Sequence, residues 1–197
     1  MGSWHNDRKP GQTFIVKHKK NYKGVKMQQA DGAIDAFKNF FDEQKFDSII
    51  ELGTMYGPLA LFFGEYTDSK VFTFDRKNWM TDDIKQKLRN LNVSIYVQNV
   101  FKSDTVKELI IDGGRVLLLC DNGDKIKEVE MYRPYLKPND VIMAHDYFPN
   151  TSKYHSQQTW KSCEIMDKHI DDGTLDPYYA EEFEKVFWSV RIKRGQV

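Results

Sequence analysis

Short apolar runs alternate with stretches of helical spacing along most of this chain. Residues 1–26 are polar and rich in turn formers and read as a surface arm. Over 27–44 the apolar positions Ala30, Ile34, Phe37, Phe40 and Phe41 recur at helical spacing, with Asp31 as a cap. Residues 48–52 are too short and too continuously apolar for a helix and read as a buried parallel strand. Leu59, Leu61, Phe62 and Phe63 predict a helix packed on a sheet, and 71–74 a second strand. A helix over 82–91, a strand over 93–97 and a short helix over 105–111 follow. Residues 116–120, Val-Leu-Leu-Leu-Cys, form the most continuous apolar run, expected of a central strand covered on both faces. A helix over 125–135 closes at Pro138-Asn139-Asp140, and 141–144 is a fifth strand. The segment 147–185 is polar and irregular, with a helix expected over 160–170. Alternation of Val186, Trp188, Val190 and Ile192 predicts a terminal edge strand.

Alternating strands and helices imply an α/β fold: a Rossmann-like, doubly wound, mostly parallel sheet with helices on both faces and an antiparallel edge strand. At 197 residues the chain fits one domain over 27–197, preceded by the arm 1–26, with 147–185 as a substrate-side insertion or lid. In such sheets ligands bind beyond the carboxyl ends of the strands. Four predicted strands end in acids, Glu51, Asp75, Asp121 and Asp146, so these carboxylates are expected along one rim.

Residues 51–57 carry the spacing E-x-G-x-x-x-G. Gly53 lets the chain turn sharply out of a strand, and Gly57 lets backbone approach a ligand. Asp75, at the end of the next strand, is placed to accept hydrogen bonds from ribose hydroxyls. The spacing differs from the dinucleotide G-x-G-x-x-G and is typical of S-adenosylmethionine (SAM) methyltransferases. Glu51, Gly53, Thr54, Gly57 and Asp75 are therefore the candidate cofactor residues; an ordinary strand-to-helix turn is the bland alternative. Arg76 and Lys77 beside Asp75 keep NADP open. Phe101 could stack on an adenine and Asn99 or Ser103 hydrogen-bond its edge; core packing of Phe101 and a helix cap at Ser103 or Asp104 are the alternatives.

Asp121 and Asp146 should be neighbours. Two carboxylates at one locus repel unless a cation or proton lies between them, and oxygen ligands suit Mg²⁺. Capping and turn formation are the competing roles. His145 reads as a third ligand, a general base or a strand-end histidine, with Asn122 and Asp124 flanking. Tyr147, Phe148, Tyr154, His155 and Trp160 suit either a substrate lid or packing.

Composition narrows the classes. Lysine plus arginine equals aspartate plus glutamate, 29 each, which argues against a dedicated nucleic-acid or membrane-surface binder despite the basic run from Lys17 to Lys26. No run has the length of a membrane span and no signal-peptide pattern is present, so a cytoplasmic protein is expected. Cys120 and Cys163 lack metal or redox spacing and read as reduced thiols.

The segments Gly24-Val25-Lys26-Met27-Gln28-Gln29, Ser48 through Thr54 with Gly57, and Ala60-Leu61 resemble the cephalosporin hydroxylase group of class I methyltransferases, related to macrocin-type sugar O-methyltransferases. The resemblance covers roughly 22–150. It implies a Rossmann-like sheet, SAM as donor and often a divalent metal that two substrate hydroxyls chelate. It places the fourth-strand acid at Asp121 and the fifth-strand pair at His145 and Asp146, with Asp124 in the place of the base. Pro58 follows Gly57 where relatives often carry a second glycine, and His145 replaces an acid. The expected activity is methylation of an oxygen on a small hydroxylated acceptor, Mg²⁺-assisted, by a protein able to form homo-oligomers. An NAD(P)-dependent oxidoreductase is the runner-up, disfavoured by the glycine spacing and the lack of a Tyr-x-x-x-Lys pair. A non-catalytic nucleotide-binding module is the third reading.

Overall fold

The continuous apolar runs become the middle of a seven-stranded sheet in this computed structural model, which describes residues 18–147 and 173–195. A hairpin of β1 (His18–Tyr22) and β2 (Val25–Ala30) comes first, then α1 (Ala33–Glu43), β3 (Ser48–Leu52), α2 (Pro58–Tyr66), β4 (Lys70–Asp75), α3 (Asp82–Asn90) and β5 (Ser94–Val97). The second half runs α4 (Thr105–Asp112), β6 (Val116–Cys120), α5 (Lys125–Tyr132), β7 (Val141–His145), β8 (Leu175–Pro177), α6 (Ala180–Phe183) and β9 (Trp188–Lys193). Spatial order is β5-β4-β3-β6-β7-β9-β8. The five strands from β5 to β7 are parallel; β9 runs antiparallel to β7, and β8 antiparallel to β9. The direction of winding reverses between β3 and β6, which makes the gap beyond their carboxyl ends the ligand crevice of such a sheet.

Every residue of β3, β6 and β7 is buried, as a strand covered on both faces must be. Pleating sends alternate side chains to opposite layers. Ile49, Leu117, Leu119 and Met143 join a core with α1, α2 and the β1–β2 hairpin, whereas Ile50, Leu118 and Cys120 join one with α4 and α5. Phe37 centres the first layer, its ring 5.2–6.4 Å from those of Phe41, Phe62, Phe63, Phe183 and Trp188.

Three elements depart from the sequence reading. Residues 25–30 are a strand, so the first helix begins at Ala33 and not at Met27. Its N-cap is Gly32, at φ 90°, and Asp31 does not cap it. The last strand is not the edge: β8 pairs with its outer side, placing Trp188 and Val190 in the core. The helix expected over 160–170 lies outside the described residues, as do Phe148, Tyr154, His155, Trp160 and Cys163. No helix among the described residues is long and apolar enough to cross a membrane.

Candidate active site

The chain ends of β3, β4, β6 and β7 open into one cavity of about 870 Å³, whose lining includes Glu51, Gly53, Thr54, Asp75, Asp121, His145 and Asp146. The four strand-end acids thus share a rim, as parallel strands in register require. Another cavity, of about 640 Å³, lies at the opposite ends of the strands, beside Phe46, Tyr66 and Gly114.

Gly53 sits at φ 109°, and its N–H donates to Phe74 O at 2.8 Å. A Cβ there would stand 2.4 Å from the Asp121 carbonyl oxygen, so only glycine lets the turns after β3 and β6 come this close. Gly57 also needs its positive φ of 85°, yet a Cβ on it would meet Met80 Sδ at 3.0 Å. Ile84 and Leu88 of α3 also pack close to it, and it is not among the residues lining the cavity. Thr54 is buried, and its hydroxyl meets that of Thr73, which donates to Glu51. Glu51 and Thr73 are direct partners across β3 and β4. Burial pushes the Glu51 carboxyl up to about 8, against the Thr73 hydrogen bond and helped by the charges of Asp121 and Asp75. At neutral pH Glu51 is therefore mostly protonated.

Asp75 ties down the glycine turn. Its Oδ2 accepts from Met55 N–H at 2.9 Å and its Oδ1 from Lys77 N–H at 3.0 Å. Each oxygen has acceptor capacity beyond this one bond, and Asp75 lines the cavity.

Asp121, His145 and Asp146 converge, with one ligand atom from each lying within 4.8 Å of the others. His145 Nδ1 is 2.8 Å from Asp121 Oδ1 and 3.7 Å from Asp146 Oδ1. Burial lowers the imidazole's proton affinity, but Asp121 and Asp146 outweigh it and the net shift is upward. Asp146 adopts a left-handed φ of 60° immediately after β7.

Three partners of this cluster escaped the sequence reading. Lys125 Nζ lies 2.7 Å from Asp146 Oδ2 and 3.7 Å from Asp121 Oδ1. Gln29, on β2, donates through Nε2 to Asp121 Oδ2 at 2.9 Å and accepts from Trp188 Nε1 at 2.9 Å. The Trp188 ring in turn lies 4.7 Å from the His145 ring. Gln29 belongs to the Gly24–Gln29 motif, and the alternation of Val25, Met27 and Gln29 was the signal that could have placed it facing inward.

Other predicted site residues stand apart. Asn99 Oδ1 accepts from Phe101 N–H at 3.0 Å, capping the 3₁₀ turn Val100–Lys102. The Phe101 ring packs against the α4–α5 core under Lys127 Nζ, 4.6 Å from its centroid. Asp124 is exposed and caps α5 by accepting from Lys127 N–H at 3.2 Å. None of the three is among the residues lining this cavity.

No family model matches the sequence, and no curated protein does. Solved structures do share the fold. CmcI in its Mg-SAM form superposes with a TM-score of 0.66 at 14% identity, over 89% of this chain and 76% of that one. The O-methyltransferase TomG from Streptomyces achromogenes, involved in tomaymycin synthesis and solved with SAM, gives 0.60 at 13% identity over 84% and 82%. Cofactor-bound Rv0187 from MTB gives 0.64 at 10% identity over 88% and 85%. The expected α/β sheet is thus the Rossmann-like fold of solved methyltransferases.

Proposed function

We propose that the protein is a SAM-dependent methyltransferase acting on an oxygen of a small hydroxylated acceptor. One observation carries this reading: the glycine turn at Gly53 and the Asp75 carboxylate flank the same cavity as the Asp121–His145–Asp146 cluster. A donor cofactor and an acceptor can therefore meet inside one space. CmcI with Mg-SAM and TomG with SAM add support through the shared fold.

In this reading Asp75 accepts from the ribose hydroxyls while its bonds to Met55 and Lys77 hold it still. Gly53 and Thr54 present backbone to the aminoacid end of the cofactor, and protonated Glu51 adds no charge there. The donor set fits a hard divalent ion: two carboxylates and an imidazole meet at one locus. Asp121 and Asp146 would hold Mg²⁺, with His145 as third donor, oriented by the hydrogen bond of its Nδ1 to Asp121. Such an ion, when bound, lowers the pKa of an acceptor hydroxyl. The cavity walls supply alignment of donor and acceptor, which in well-oriented reactions removes several kcal/mol of barrier. A sugar, a phenol and a hydroxy acid all carry the needed hydroxyl.

Calorimetric titration with S-adenosylhomocysteine, with and without Mg²⁺ and with NAD as control, tests the reading. Micromolar binding of the homocysteine product alone is expected. Binding of NAD instead would assign the sheet to an oxidoreductase, and no binding of either would leave a scaffold that takes neither cofactor.

A further inference from the structure

Lys125 is the first residue of α5, and its side chain is only 17% exposed. It reaches back between the ends of β6 and β7. Its Nζ lies 2.7 Å from Asp146 Oδ2 and 3.7 Å from Asp121 Oδ1, the same two carboxylates that the proposed metal site uses. The third member, His145, spends its Nδ1 on Asp121 Oδ1 at 2.8 Å. A divalent ion ligated by both carboxylates sits about 2.1–2.6 Å from their oxygens. An ammonium hydrogen-bonded to one of those oxygens then lies within a few ångström of the ion. Two cations at that distance in a half-buried site repel strongly.

From this geometry we infer that Lys125 is the site's tethered counter-ion, which a divalent metal must displace from Asp146 and Asp121 before they can ligate it. The inference rests on the reading of Asp121, His145 and Asp146 as a metal site and adds a competitor to it. A tethered cation is present at high effective concentration, so the free protein keeps its two carboxylates balanced and takes a metal only weakly. Loading the ion requires the lysine stem to rotate out of the cavity, and α5 itself need not move.

Manganese is the probe. Free Mn²⁺ has a distinct paramagnetic resonance signal that is lost on binding, so affinity is read without any turnover. The unsubstituted protein, Lys125→Met and Asp146→Ala are titrated in parallel. Lys125→Met is expected to bind Mn²⁺ at least tenfold more tightly than the unsubstituted protein, and Asp146→Ala not at all. Equal or weaker binding by Lys125→Met, with measurable binding by the unsubstituted protein, overturns the role of Lys125 and leaves the metal site standing. Failure of both proteins to bind overturns the metal site and this inference with it. A second measurement needs no variant. Saturating Mg²⁺ is expected to speed acetylation of Lys125 in the intact protein, read by peptide mass spectrometry. An unchanged rate in a protein that binds the ion contradicts displacement.

Discussion

Gln29 and Trp188 stand 159 positions apart and meet through a 2.9 Å hydrogen bond from Trp188 Nε1 to Gln29 Oε1. The other end of the same amide holds Asp121. One buried glutamine on the hairpin therefore fixes both the indole behind His145 and the carboxylate in front of it. Replacing Gln29 with Leu leaves an indole N–H and a carboxylate oxygen without that partner. A loss of about 1–3 kcal/mol is expected in urea unfolding. A double-mutant cycle with Trp188→Phe should show coupling of about 0.5–3 kcal/mol; strict additivity would mean that the bond contributes nothing.

Asp75 and Asp146 divide the proposed labour. Asp75→Ala removes a charged acceptor and unties Met55. S-adenosylhomocysteine affinity should drop by about 10- to 100-fold, the equivalent of roughly 1.5–3 kcal/mol for a charge-assisted hydrogen bond. Asp146→Ala should leave that affinity within a few fold and abolish methyl transfer. Turnover surviving in Asp146→Ala would remove Asp146 from the chemistry.

Gly53→Ala sets a methyl carbon 2.4 Å from the Asp121 carbonyl oxygen, at a φ of 109°. Strain at such a φ costs about 1–3 kcal/mol before the clash is counted. A fall in melting temperature of many degrees is expected. A variant melting with the unsubstituted protein would show that the turns after β3 and β6 can part freely.

Glu128 is fully buried on α5, and burial pushes its carboxyl up to about 8, against the pull of Lys125. Among the described residues its Oε1 has no hydrogen-bond partner. The ordinary value is 4.5, so between pH 4.5 and 8 the folded state holds a proton that the unfolded chain releases. This contribution to stability is complete below about pH 4.5 and is lost as pH rises through 8. Glu51 acts in the same direction. Glu128→Gln should flatten the decline of melting temperature from pH 5 to pH 8. An identical slope in both proteins would mean that Glu128 is ionised in the fold.

The middle of the sheet was legible because strands covered on both faces are dominated by apolar residues, as 116–120 and 141–144 are, and as 48–52 is apart from the buried Ser48 and Glu51. Asp75, Asp121 and Asp146 were legible because each follows such a run. The hairpin was not. Met27, Ala30, Ile34 and Phe37 satisfy helical spacing, while Val25, Met27 and Gln29 satisfy strand alternation. A buried glutamine hid the second pattern. β8 is three residues long, too short to announce that β9 has an outer neighbour. At the start of α5 the side chain that reaches the rim acids is Lys125. Asp124 and Lys125 are adjacent, and only the path of the loop decides which of them turns inward. Gly57 was read for its freedom, correctly, but its missing Cβ serves the packing of Met80 and Ile84.

The bond between Gln29 and Trp188 also sets a clock on biosynthesis. The hairpin leaves the ribosome early, whereas the indole that completes it is made 159 residues later. At about 5–20 residues per second that interval is roughly 8–32 s. In its last part, once residues up to 145 have been made, the parallel half of the sheet can form while β7 lacks β9 as its neighbour and Asp121 is held by Gln29 without Trp188 behind it. A nascent chain arrested before residue 188 should therefore carry a Rossmann-like half without a finished pocket, with an apolar strand edge open to chaperones.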